Sequence, residues 1–296
     1  MTTIRIEAIE PLAFDRAPPL SDMYILSPCV WREDDGYHVL LRAVSHADDP
    51  AAKIARIYHG RCDDGLRFKM DALPAITASL APGADDAGGC EDPSLVRQGG
   101  RYHVFYSGWN QGLRQGHLLR TVGAEIRTLR KQGRVLPHDA HHTNPKEAEI
   151  VRCQTGGWRL FFEYADKERS KIGLASASNL DGEWRAEPDP FAARADHFDS
   201  WHLSAGPVVQ QCDGQPLMFY NGATGQGRWR IGWIIFDASF TRVLDRCVAP
   251  IIIPPQPQGN ATDIAFSASA LQEDNLVCLY YTVSDDQPMR AVLRLW

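Results

Sequence analysis

Asp92-Pro-Ser-Leu-Val96, a Gly-containing turn, and then Arg101-Tyr-His-Val-Phe-Tyr-Ser107 form a short apolar strand followed by a longer aromatic one that ends on a polar residue. The same order recurs four more times. Leu26-Ser-Pro-Cys-Val-Trp31 precedes Gly36-Tyr-His-Val-Leu-Leu-Arg42, and Glu147-Ala-Glu-Ile-Val151 precedes Gly157-Trp-Arg-Leu-Phe-Phe-Glu163. Ala205-Gly-Pro-Val-Val209 precedes Pro216-Leu-Met-Phe-Tyr-Asn221, and Ser267-Ala-Ser-Ala-Leu271 precedes Leu276-Val-Cys-Leu-Tyr-Tyr-Thr282. A third apolar strand follows each copy, as in His117-Leu-Leu-Arg-Thr121 and Lys171-Ile-Gly-Leu-Ala175. Runs of four to six Val, Ile, Phe, Tyr and Trp residues bounded by turn chemistry are strands. Five units in 296 residues, each of three or four strands, are propeller blades. A sandwich or jelly roll has no reason to repeat five times in this order. The reading is all-β: a single five-bladed β-propeller spanning 1–296. The last copy ends at Trp296 without a fourth strand, so Ile4-Arg-Ile-Glu-Ala-Ile9 is expected to supply it, removing an exposed sheet edge. Pro250 to Gln258 is then an interblade loop.

Composition excludes several function classes. With 44% hydrophobic and 23% charged residues the chain is an ordinary globular one. Lys and Arg number 31 against 37 Asp and Glu, a formal net charge of −6, so the chain lacks the attraction for nucleic acid or an anionic membrane. No apolar run approaches the roughly 20 residues that span a bilayer. The start, Met1-Thr-Thr-Ile-Arg5, has no apolar signal region. Seven cysteines, an odd number without a CxxC pair, read as buried thiols of a reducing compartment. The expected location is cytoplasmic, and a homo-oligomer is compatible with the sequence.

Function is expected on the propeller axis, where several blades reach one ligand. The second strands end on Arg42, Ser107, Glu163, Asn221 and Thr282; the first strands open on Ser27, Asp92, Glu147, Ala205 and Ser267. Packing alone would repeat one residue type there, yet these positions diverge while the apolar ones between them stay alike. Each also has a plain alternative: Arg42 pairing with Glu163 to fill the channel, or Asp92 capping the turn before Pro93. Trp109 and Trp201 follow channel strands and suit stacking on a sugar. The His138-Asp-Ala-His-His142 cluster has helical ligand spacing, but Pro137 and Pro145 discourage a helix, so no metal site is expected.

Gly88-Gly-Cys-Glu-Asp-Pro-Ser94 resembles the Gly-x-Glu-Asp-Pro-Arg signature of glycoside hydrolase family 130, the β-mannoside phosphorylases and β-mannosidases. Leu40-Leu-Arg42, Asn144-Pro-Lys-Glu147, Phe219-Tyr-Asn-Gly222 and Tyr280-Tyr-Thr-Val-Ser-Asp285 are similar to further family segments in the same order. The resemblance implies a five-bladed propeller acting on an oligosaccharide or glycoside. It implies Asp92 as general acid, Arg42 and Lys146 as phosphate-holding cations, and Asp285 as an acid contacting the sugar. Ser94 stands for the signature Arg, Asn221 for a His and Ser27 for an Asn; these departures weaken the implied anion site.

Three functions compete. In an inverting hydrolase of a β-linked, mannoside-like oligosaccharide, Asp92 is the acid and Glu163 the base, with Glu147 as second choice. Here Asp92 is expected to have a raised pKa from burial beside Glu91, and Glu163 to be ionised beside Arg42. In an inverting β-mannoside phosphorylase, inorganic phosphate is the co-substrate and no base is needed. The third is a non-catalytic sugar-binding propeller. In all three, Ser27, Arg42, Ser107, Trp109, Lys146, Trp201, Asn221 and Asp285 are the expected substrate contacts, and no cofactor is called for.

Overall fold

A computed structural model describes residues 3–49, 52–137, 140–211, 214–256 and 262–296. His138 and Asp139 of the histidine cluster, Cys212 and Pro257 lie outside the described residues. The chain forms a five-bladed β-propeller, with no α-helix among the described residues. None of their helices is long and apolar enough to cross a membrane.

The strand β1 (Ile4–Pro11) belongs to the last blade and β2 (Ala13–Asp15) lies parallel on the rim of the first. Blade 1 comprises β3 (Met23–Glu33), β4 (Gly36–Ser45), β5 (Ala55–Cys62) and β6 (Arg67–Ile76). Blade 2 runs β7 (Cys90–Gln98), β8 (Arg101–Asn110), β9 (Gln115–Gly123), β10 (Arg130–Arg134). Blade 3 runs β11 (Thr143–Arg152), β12 (Trp158–Asp166), β13 (Arg169–Ala177), β14 (Arg185–Glu187). In blade 4 the inner strand is split into β15 (His202–Ser204) and β16 (Val208–Gln210), both paired with β17 (Pro216–Ala223), followed by β18 (Trp229–Phe236) and β19 (Val243–Arg246). Blade 5 is β20 (Ala265–Glu273), β21 (Leu276–Val283) and β22 (Gln287–Leu295), with β1 antiparallel to β22 from Ile4–Leu295 to Pro11–Met289.

The second strand of each blade is apolar on both faces because neighbouring blades cover it from both sides. All eight residues of β17 are buried. Phe105 and Leu118 of blade 2 pack with Ile150, Leu160 and Phe162 of blade 3, and the other interblade layers repeat this arrangement. Burial of such a side chain contributes about 1.5–3 kcal/mol, so the layers between blades hold the ring closed.

One irregularity repeats around the axis and positions the site. Each inner strand carries a bulge: the register slips between Leu26 and Cys29, Glu91 and Ser94, Lys146 and Glu149, and Ser267 and Ser269. In blade 4 the strand breaks instead at Ala205-Gly206-Pro207. There a Cβ on Gly206 would sit 1.9 Å from the Phe219 carbonyl oxygen, so only glycine fits. At three bulges a non-glycine residue adopts left-handed backbone: Ser27 (φ 51), Asp92 (φ 46) and Glu147 (φ 50). Such residues cost of order 1–3 kcal/mol each and persist where the surroundings over-determine them. A bulge re-aims a side chain.

Candidate functional site

The residue ending the second strand of one blade reaches the bulge of the next. Ser107 Oγ accepts from the Glu147 N–H at 3.1 Å, and Thr282 Oγ1 from the Ser27 N–H at 3.0 Å. Asn221 accepts from the Ser267 N–H at 2.7 Å through Oδ1 and donates through Nδ2 to the Ala205 carbonyl at 3.0 Å. These short polar side chains satisfy backbone groups that the bulges release from the ladder. Arg42 makes the same reach but is long enough to bond a side chain, placing Nη1 2.9 Å from Asp92 Oδ1 and Nη2 2.9 Å from Glu91 Oε2. Glu163 pairs with Lys146, its cross-strand neighbour, at 3.2 Å.

Arg42, Asp92, Glu163 and Asp285, expected together from their places in the repeat, line one axial cavity of about 160 Å³. Ser27, Lys146, Glu147 and Thr282 line it too. Ser107 and Asn221 are 4% and 0% exposed; they stitch blades and do not line the cavity. Trp109 and Trp201 are also elsewhere: the Trp201 ring lies under the Arg169 guanidinium at 3.8 Å and its Nε1 donates to the Glu168 carbonyl. The aromatic wall is instead Trp229 and Phe266, whose rings meet edge to face at 5.2 Å, with His202 stacked on Trp229 at 5.6 Å. Trp229 opens the third strand of copy four. The sequence signal for it is that slot, just upstream of Arg230, rather than the first two strands on which the expectation rested.

Ser94 also falls outside the cavity. It lies two residues beyond Asp92 and hydrogen-bonds Glu149, which lies two residues beyond Glu147 in blade 3. Glu149 also accepts from the Val208 N–H at 3.1 Å, and burial pushes its carboxyl up to about 8. Ser94 and Asn221 themselves therefore do not line the cavity.

The electrostatics reverse the expected assignment at Asp92. Burial alone would raise its pKa, but Arg42, Lys146 and hydrogen bonds from Ser27 (Oγ to Oδ1, 2.8 Å) and Glu147 hold it below the ordinary range. The raised carboxyl is Glu147, pushed well up by burial and by the Asp92 charge beside it. Two carboxyls in contact cannot both ionise cheaply, so one proton is shared, and it resides on Glu147, which donates to Asp92. Burial also raises Glu91 and Asp285. Lys146 is raised by Glu163, so it stays a cation. Glu163 has Lys146 as its partner, not the expected Arg42.

Larger cavities lie elsewhere. One of about 410 Å³ beside Asp71, Leu73 and Arg127 sits at the outer edge of blades 1 and 2, where Asp71 is already tied to His59 and Arg127. Glu33, Asp35 and His38 bring ligand atoms within 4.8 Å of one another. Glu33 is engaged with Trp31 and Tyr102, His38 with His59, and Asp35 with His38 and Arg61, away from the axial cavity. The axial cavity combines two cations, several carboxyls and an aromatic wall.

No family model matches the chain. It is 27% identical over 240 residues to a β-1,2-mannobiose phosphorylase of Listeria innocua; the match covers 76% of this chain and 62% of that protein, less than two thirds of its length. It is 20% identical over 282 residues to a β-1,2-mannobiose phosphorylase of a Thermoanaerobacter species, covering 91% and 89% of the two chains. A 1,2-β-oligomannan phosphorylase of the same species is 21% identical, covering 88% and 87%. The solved complex of the Listeria phosphorylase with β-1,2-mannobiose superposes with a TM-score of 0.79 at 20% identity, over 98% of this chain and 96% of that one. A structure described as a GH130 member, from a study of glycoside hydrolases targeting β-1,2 mannosidic linkages in Candida mannan, superposes at 0.79 with 19% identity, over 97% and 94%. The family 130 resemblance carried by Glu91-Asp92-Pro93 is borne out, as a similarity at low identity.

Proposed function

We propose that this divergent relative of glycoside hydrolase family 130 cleaves a terminal β-linked mannoside by phosphorolysis. The observation that carries the reading is the pair of half-buried cations, Arg42 and Lys146, in one cavity with the proton-sharing pair Asp92 and Glu147. The phosphorylase relatives support it. A phosphate oxygen attacks the anomeric carbon from the face opposite the leaving group, the glycosidic C–O bond breaks, and the leaving oxygen takes the proton held by the Asp92–Glu147 pair. The products are a sugar 1-phosphate of inverted configuration and a shortened saccharide. Arg42 and Lys146 supply charge-assisted hydrogen bonds to phosphate. Raised pKa values at Glu91 and Glu147 reduce the negative charge an entering anion meets. Trp229 offers its ring to the apolar face of the sugar.

Hydrolysis is the second reading, and Glu163 favours it. This carboxylate is 3% exposed, lines the same cavity and is held by Lys146, as a water-activating base requires. A single assay separates the two: β-1,2-mannobiose with and without phosphate. Mannose 1-phosphate formed only when phosphate is present supports phosphorolysis. Free mannose as the sole product, at a rate indifferent to phosphate, selects hydrolysis. Binding without turnover selects a non-catalytic propeller.

A further inference from the structure

Each blade of a propeller ends on an edge strand whose outer backbone groups have no partner within the blade. Four of these edges are short. The strands β2, β14 and β19 have three or four residues, and β10 has five, all exposed and including Arg130, Lys131 and Arg134. Short or charged edges resist pairing with another chain. The fifth edge differs. The strand β1 runs for eight residues, and among the described residues no strand pairs with its outer side. Two of its isoleucines stand open to solvent, Ile6 at 36% and Ile9 at 49% exposed.

The pairing with β22 fixes which way each residue of β1 faces. Ile4, Ile6, Ile9 and Pro11 stand opposite Leu295, Leu293, Ala291 and Met289, on the face towards blade 4. Arg5, Ala8 and Glu10 stand opposite Arg294, Val292 and Arg290, on the other face. The register slips at Glu7, and this bulge makes the pattern of faces read the same from both ends of the strand. Thr3 exchanges both backbone bonds with Trp296, so the alternation of an antiparallel ladder turns the N–H and C=O groups of Ile4 and Ile6 outward. From the other end, the Leu12 N–H donates to the Pro288 carbonyl, which leaves Ile9 and the Pro11 carbonyl outward as well.

We propose that the outer edge of β1 is a homodimer interface: two copies pair antiparallel about a two-fold axis through the Glu7 bulge and form one eight-stranded sheet. In this register Ile6 meets the partner's Ile9 as a hydrogen-bonded pair on one face. Arg5 meets the partner's Glu10 on the other face, and by symmetry each pair occurs twice. Ile4 donates its N–H to the carbonyl of the partner's Pro11, a residue with no N–H to leave unpaired. Glu7 meets its own copy at the axis, where Arg294, 3.0 Å away, offsets the charge of each. Apolar and opposite-charge cross-strand pairs both favour the ladder. This match selects a second copy as the occupant, because one strand supplies both halves of every pair. The inference is independent of the reaction proposed above.

The test is sedimentation velocity of the whole protein from about 1 to 100 µM, the range expected of a small interface. The weight-average mass should rise from one chain towards two across it. Arg5→Glu sets like charges opposite Glu10, and Glu10→Arg sets like charges opposite Arg5. Each alone should raise the dissociation constant about tenfold or more, since like charges directly opposite destabilise a ladder. An equimolar mixture of the two variants restores both opposite-charge pairs and should dimerise as the wild type does. A variant that had failed to fold would not be rescued by mixing. Ile9→Lys in the otherwise native chain should leave a monomer. A wild type that is monomeric at every concentration overturns the interface. So does a mixture that stays monomeric, or a dimer that persists unchanged in Arg5→Glu or Ile9→Lys, which would place the contact elsewhere.

Discussion

Asp92→Asn should change the pH dependence of the reaction as well as its rate. In the wild type Glu147 holds the shared proton because it is buried and because the Asp92 carboxylate beside it repels a second negative charge. Two unit charges about 4 Å apart interact by about 4 kcal/mol at an effective dielectric constant near 20. Arg42 and Lys146 nearby reduce that repulsion without cancelling it, so the Asp92 charge still holds the Glu147 pKa up. A proton donor works only while protonated, so the rate falls as pH rises through the pKa of Glu147. Removing the Asp92 charge lowers that pKa and moves this basic limb of kcat/KM towards acid. Near neutral pH the loss on β-1,2-mannobiose should reach about 10²–10⁴-fold, the usual contribution of a general acid. An activated aryl mannoside, whose leaving group needs little protonation, should lose much less. The assay is kcat/KM against pH for both substrates, wild type beside Asp92→Asn and Glu147→Gln. A basic limb that stays in place in Asp92→Asn would refute the proton sharing, and full activity of either variant on mannobiose would remove these residues from the chemistry.

Lys146→Ala should raise the KM for phosphate about 10- to 100-fold, the worth of about 1.5–3 kcal/mol for a hydrogen bond to a charged group; an unchanged phosphate KM would place the anion elsewhere. Asn221→Ala deletes buried bonds within blade 4 and from blade 4 to blade 5 and should lower unfolding free energy by about 2–4 kcal/mol in urea titration, while KM for mannobiose stays constant. A KM effect without destabilisation would return Asn221 to the substrate site. Glu149, raised to about 8, binds a proton in the folded state that the unfolded chain releases near pH 4.5. Its contribution is therefore fully present below that lower value and lost as pH rises to about 8. Glu149→Gln should remove this decline, so urea midpoints of variant and wild type diverge between pH 5 and 8; parallel profiles would contradict the burial of an uncharged carboxyl there.

The repeat was legible because blade packing imposes one apolar pattern on every second strand. Leu40, Phe105, Phe161, Phe219 and Tyr280, five buried residues in five blades, need no long-range information to be matched. The axial residues were legible only as a set. Arg42, Asp92, Lys146, Glu147, Glu163 and Asp285 do meet in one cavity, because the bulge recurs at the same place in each inner strand. Their roles depend on reach, which the alignment of copies does not encode. Ser107, Asn221 and Thr282 occupy the same slot as Arg42 and Glu163, yet their short side chains stop at the next blade's backbone.

The protonation states were illegible for a related reason. From Glu91-Asp92-Pro93 alone, burial argued for a raised Asp92. Its left-handed bulge instead swings the carboxylate towards Arg42 and Ser27 from blade 1 and Glu147 from blade 3, residues distant in sequence. Divergence at the axis therefore serves two ends. Short polar residues close the ring of blades, and long charged ones, freed from that task, set the charge of the cavity. Glu163 is the sharpest instance: it forgoes the contact with the next bulge that the other four make, and pairs with Lys146 on its own blade. A residue that abandons the structural role of its slot has been kept for another, and in this cavity the roles open to a carboxylate beside Lys146 are to tune phosphate binding or to activate water.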